Sequence, residues 1–170
     1  MEENKAKKKG ESYILDKDLV KKAIEIVMPA IKTCMEGKIF KRKCLSICVL
    51  EPKKGKVLHT ENIKDEEWDH DFEKIASSKA KVSYKGKTDT ALISLRKPWS
   101  FEVGDTIYPG GVYYKGLVVG VSGVEPYFDE MIANWIIFAI KGLCSKEMGK
   151  NIGLMNDFKE DFLPEDWSKI

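Results

Sequence analysis

The sequence has no run of eighteen apolar residues, no CxxC pair and only two histidines, His59 and His70. Each shortage removes a class of protein. A membrane-spanning helix needs about 20 consecutive apolar residues. The longest candidate here, Met131 to Ile140, is interrupted by Asn134 and flanked by Glu130 and Lys141. The four cysteines show no zinc spacing, and the histidines form neither HxH nor HxxxH, so no metal site is expected. Cys44 and Cys48 fall in CLSICVL, which reads as a strand. Four residues of strand hold two Cα atoms about 13 Å apart, past the roughly 7 Å that a disulfide spans. Free thiols in a reducing compartment are the expectation.

A Walker loop, a GxGxxG turn, a nucleophile elbow and a Cys–His pair are all missing, so phosphoryl and acyl transfer have no handle. Nor is there charge of one dominant sign. The 29 basic and 27 acidic residues leave a net charge of +2, which gives no pull toward a polyanion; neither nucleic acid nor a membrane is an expected partner. The first residues, MEENKAKKKGESY, lack the apolar core of a signal peptide, and a cytoplasmic protein is expected.

What is present is a chain of 170 residues, 43% of them hydrophobic, enough to bury one core without staples. Residues 1–12 read as a flexible lysine-rich tail, 13–150 as a single domain and 151–170 as an acidic, aromatic tail. Leu19, Val20, Ala23, Ile24, Ile26, Val27, Ile31 and Cys34 recur at helical spacing behind Asp16 and Asp18, with Pro29 inside and Gly37 as a stop. Leu45, Ile47 and Val49 alternate with Cys44, Ser46 and Cys48, a strand; PKKG turns it into a second strand, KVLHTEN. Helical spacing returns from Asp65 to Tyr84, and a short helix capped by Asp89 ends before Pro98. Strands are expected at 107–114 and 117–124, then a helix at 127–145.

That last helix has a narrow polar stripe of Glu130, Asn134, Lys141 and Ser145 and is apolar elsewhere, so it must be covered on most sides. A sheet covers one side. A second copy of the chain is the expected cover for another, which makes the protein a homo-oligomer through helix 127–145. The order α-β-β-α-(α)-β-β-α with antiparallel hairpins gives the class α+β, a sheet flanked by helices.

Two stretches resemble the haem-degrading, GlcG/HbpS-like family. FEKIASSKAKVSYKGKTDT, residues 72–90, is similar to that family's helix with a lysine-alanine step, a glycine turn and a threonine. PGGVYYKGLVVGVSGVEPYFDEMIA, from residue 109, is similar to its double-glycine strand, second glycine-bearing strand and acidic helix start. The resemblance spans about residues 14–148 and implies a profilin-like, PAS-like sandwich that binds haem or a related tetrapyrrole. VEPY replaces the family's glycine-rich turn before the last helix.

A haem site needs an apolar slot, an axial side chain and cations near the propionates. The candidate cofactor-binding residues are His59, with Glu61 on its own strand face to orient the ring, Lys79, which matches the family's helix lysine, and Gly110 and Gly111, whose amides can meet an anion. His70 stands between Asp69 and Asp71 and reads as part of a solvated helix face. No catalytic residue is identified, and the sequence leaves open whether the chain is an enzyme. The alternatives to haem binding are a non-enzymatic oligomeric partner-binding module and a small-molecule enzyme with its site beside the double glycine.

Overall fold

The computed structural model describes residues 14–151. The two tails expected at 1–12 and 151–170 lie outside the described residues, apart from Asn151. Helix α1, Lys17–Glu36, opens on Asp16, whose side chain accepts the Leu19 N–H at 2.8 Å and so satisfies one of the unpaired donors of the first turn. Its apolar face, Val20, Ala23, Ile24, Val27, Ile31 and Met35, is buried. Pro29 sits inside the helix without ending it.

Strands β1 (Cys44–Leu50) and β2 (Val57–Lys64) form the expected hairpin. Helix α2 is Phe72–Gly86, α3 is Thr90–Arg96, and strands β3 (Gly111–Tyr114) and β4 (Leu117–Ser122) precede helix α4, Pro126–Asn151. The four strands pair antiparallel in the order β2-β1-β4-β3. The fold is α+β, in the expected element order.

Because β1 and β4 are central, every residue in them is buried. Leu45, Ile47, Val49, Val119 and Val121 face α1 and α4 in the main core. Cys48, Leu50 and Val118 face α2 through Ala76 and Ala80. The sheet is thus the middle of three layers.

Several boundaries differ from the sequence expectation. The helix expected from Asp65 begins at Phe72, because β2 continues to Lys64 and the chain turns through 65–71 before Asp71 caps α2 by accepting the Lys74 N–H. β3 begins at Gly111, four residues later than expected, and α4 runs six residues beyond Ser145. Asp89 stands at the N-cap of α3 as expected, but its side chain makes no capping hydrogen bond; its carboxylate accepts the Tyr113 N–H at 2.8 Å, and with Thr90 it holds the edge strand β3. Much of the cover expected from a second copy comes from α1. Ile132, Ala133, Ile136, Ile137 and Ile140 of α4 are fully buried within the chain, while Tyr127 and Phe138 remain 60% and 57% exposed.

Candidate functional site

Two glycines bring α2 onto the sheet. Gly111 and Gly120 stand directly opposite each other on β3 and β4. A Cβ at Gly120 would collide with Ala76 O and lie 2.7 Å from Ala80 N; one at Gly111 would collide with Lys79 O and lie 2.6 Å from Ser83 Oγ. Only bare backbone lets the helix approach this closely. The double glycine therefore serves packing first: Gly111 faces the backbone of α2.

The close approach carries Lys79 to the end of the sheet. Its side chain is 2% exposed and its ammonium donates to Val121 O at 2.9 Å and to Asp129 Oδ2 at 2.7 Å. Asp129 sits in the first turn of α4, and its second oxygen accepts the Val124 N–H at 3.2 Å. The pair links a helix on one face of the sheet to a helix on the other. Gly110, at φ +123°, passes beside it: a Cβ there would lie 2.9 Å from Lys79 Nζ and 2.8 Å from Asp129 Cβ. Left-handed backbone is open to glycine at little cost.

Burial acts on both partners. It lowers the Lys79 ammonium from its ordinary value against the pull of Asp129. It raises the Asp129 carboxyl to about 6, opposed by Lys79 and by the Val124 N–H. Desolvation outweighing attraction is the usual balance for a buried ion pair.

Above the pair a cavity of about 220 Å³ opens between the start of α2 and the start of α4. Phe72, Ile75 and Lys79 line it from one face of α2, at helical spacing; Ser122, Gly123, Val124, Pro126 and Asp129 line it from the end of β4 and the start of α4. Arg42, His70 and Tyr108 complete the wall. Arg42 bonds Asp69 at 3.0 Å and lies 5.6 Å from the Phe72 ring centre, and His70 meets Phe72 edge-on. Ser122 is 4% exposed and its hydroxyl makes no hydrogen bond within the described residues. Its cross-strand neighbour Ser46 is fully buried, and Ser46 Oγ likewise has no partner.

The structure thus gathers Lys79 and Gly110 at one place, with Gly111 adjoining Lys79 through the α2 backbone. His59 is elsewhere. It pairs with Val49 in the β1–β2 ladder, on the α1 side of the sheet, buried to 8% exposure, with Nε2 3.1 Å from Glu61 Oε2 as the shared strand face implied. His70 is solvent-exposed as expected, but it precedes α2 rather than lying on it, and it forms part of the cavity wall. Arg42, Tyr108 and Asp129 were not singled out by sequence. Asp129 had a signal, its place at the helix start beside the glycine strands; Arg42 and Tyr108 come from loops and had none.

Among the described residues no group of three or more His, Cys, Asp or Glu side chains is placed to hold a metal, and no helix is long and apolar enough to cross a membrane. All four cysteines are free thiols.

No family model matches this chain, and no curated protein matches it. Solved structures do. A double mutant of HbpS from Streptomyces reticuli superposes with a TM-score of 0.56 at 20% identity, over 78% of this chain and 90% of that one. Klebsiella pneumoniae ORFY, of the DUF336 family, gives 0.54 at 16% identity, over 81% and 96%. PduOC in complex with heme gives 0.50 at 18% identity, over 69% and 91%. At these identities the likeness establishes a shared fold.

Proposed function

We propose that this chain, built on the fold of the GlcG/HbpS-like proteins, is a binding protein for haem or a related tetrapyrrole, taken at the cavity between α2 and α4. The observation that carries the reading is the cavity itself. Cationic donors, Arg42 and Lys79, stand beside the apolar surfaces of Phe72 and Ile75, in a fold for which one solved relative was crystallised with heme.

The residues fit a propionate better than a macrocycle. Pockets that enclose drug-sized ligands measure about 300–1,000 Å³, so a cavity of about 220 Å³ admits one arm of a tetrapyrrole and leaves the ring at the mouth. There Arg42 and Lys79 hold a carboxylate, and Tyr108 and Phe72 offer ring faces. When bound, an iron tetrapyrrole supplies ligand-binding and redox chemistry that this chain's own side chains lack. His70 is the imidazole at the mouth. His59, beside Glu61 on the other face of the sheet, would hold the group only at a separate site on β2, and Gly110 supports the cavity by leaving room for the Lys79 ammonium.

Titration of the purified protein with hemin tests this. Saturable binding with a shifted Soret band is expected, reduced in His70→Ala and in Arg42→Gln. A Soret shift that His59→Ala abolishes and His70→Ala leaves intact moves the site to β2. Absence of saturable binding at micromolar protein removes the proposal.

A second reading, assembly of copies through α4, rests on Tyr127, Met131, Trp135 and Phe138. They recur at helical spacing along one stripe, and its two ends are exposed.

A further inference from the structure

The hydrogen-bonding capacity around the cavity is lopsided, and the imbalance names a ligand class. An ammonium has three N–H donors; Lys79 spends two, on Val121 O and Asp129 Oδ2. A guanidinium has five; Arg42 spends one, on Asp69, in a pair whose side chains are 38% and 55% exposed. Exposed pairs of that kind are worth little and exchange readily. Ser122, nine-tenths buried and on the cavity wall, spends none.

The acceptors are fewer. Asp129 is the one carboxylate on the cavity wall, and each of its oxygens already accepts one hydrogen bond, from Lys79 and from the Val124 N–H. The unspent capacity of Arg42, Lys79 and Ser122 is weighted toward donors, which suits a ligand that accepts.

Size and lining set the remainder of the molecule. A dry cavity of about 150 Å³ holds a benzene ring. At about 220 Å³, with Phe72 and Ile75 on one wall, this cavity has room for such a ring and one carboxylate.

We infer that the cavity between α2 and α4 is a self-contained binding site for a small monocarboxylate with a compact apolar body, of the size of benzoate. Its carboxylate is held by Arg42, the remaining N–H of Lys79 and the Ser122 hydroxyl, and its apolar body lies on Phe72 and Ile75. The inference uses the same cavity as the tetrapyrrole reading, but it does not need a tetrapyrrole.

Isothermal titration of the full chain with benzoate, and with benzamide as a neutral molecule of the same shape, tests it. Benzoate binds saturably and benzamide at least tenfold more weakly. Arg42→Gln weakens benzoate roughly tenfold or more, as expected when a charge-assisted hydrogen bond is lost. Ser122→Ala weakens it by a smaller factor. Lys85→Gln, which removes an exposed ion pair with Glu102 away from the cavity, leaves it unchanged. No binding of benzoate, or equal binding of benzamide, overturns the inference, as does an affinity indifferent to both Arg42→Gln and Ser122→Ala. Hemin added to the same samples separates the two proposals. Benzoate binding without hemin binding upholds this site and removes the tetrapyrrole; hemin binding without benzoate binding does the opposite; competition between them supports both.

Discussion

Lys79 Nζ lies 2.7 Å from Asp129 Oδ2, fifty positions away in the chain, with the two side chains 2% and 3% exposed. The contact passes the end of the sheet and ties α2 to α4 at the floor of the cavity. Breaking one half of a buried pair leaves a charge without compensation, which typically costs about 3–5 kcal/mol. Lys79→Met is therefore expected to destabilise the fold by about that amount in urea unfolding. Lys79→Met combined with Asp129→Leu restores most of the loss, because the stranded carboxylate is gone. A single variant within about 1 kcal/mol of the parent would show that the pair is not buried in solution.

The same carboxyl sets a pH dependence. Burial raises Asp129 from an ordinary 3.8 to about 6, so between those values the folded chain holds a proton that the unfolded chain releases. The stabilisation is whole below 3.8 and is lost as the pH climbs to about 6. Urea midpoints measured from pH 4 upward are expected to carry this falling limb, and Asp129→Asn to lack it. Equal slopes in the two proteins contradict the assignment.

Glycine substitutions separate packing from flexibility. Gly120→Ala places a methyl against Ala76 O and Ala80 N, pushing α2 off the sheet, with an expected loss of about 1–3 kcal/mol or more. Gly142→Ala, in α4 with nothing within 4 Å of the new Cβ, is expected to gain about 0.5–1 kcal/mol. Thermal unfolding of the two variants reads both signs. A neutral Gly120→Ala would mean that the helix does not lie on the glycine pair.

How much of this was legible in the sequence follows from what each residue depends on. The β1–β2 hairpin showed in the alternation of Leu45, Ile47 and Val49, because a strand with helices above and below still carries local period-two order. The start of α2 did not show, because Asp65, Glu66 and Glu67 read equally well as an acidic first turn or as a surface turn. The cap that decides it, Asp71, competes with other acidic residues nearby. Lys79 was singled out by resemblance, but its partner was not, since a contact across fifty residues leaves no local pattern. Arg42 and His70 reach the cavity from segments without regular structure, where periodicity is silent. The glycine pair was visible as a motif; its meaning, a helix backbone resting on the sheet, required the third dimension.

Assembly through α4 is open to a direct check. Tyr127 and Phe138 are exposed on one stripe of the helix, and Phe138 packs toward Tyr114 with ring centres 6.4 Å apart. If copies associate there, light scattering at micromolar concentration reports an oligomer that Phe138→Lys dissociates while circular dichroism stays unchanged. A parent protein that scatters as a monomer removes this reading.

The most direct measurement is an amide map of where a tetrapyrrole sits. Zinc protoporphyrin, which is diamagnetic, is titrated into nitrogen-15-labelled protein and the backbone shifts are followed by residue. The largest changes are expected on 70–75 and 122–129, around the cavity floored by Lys79 and Asp129. Changes centred instead on β2 around His59, or no saturable change at all, would contradict it.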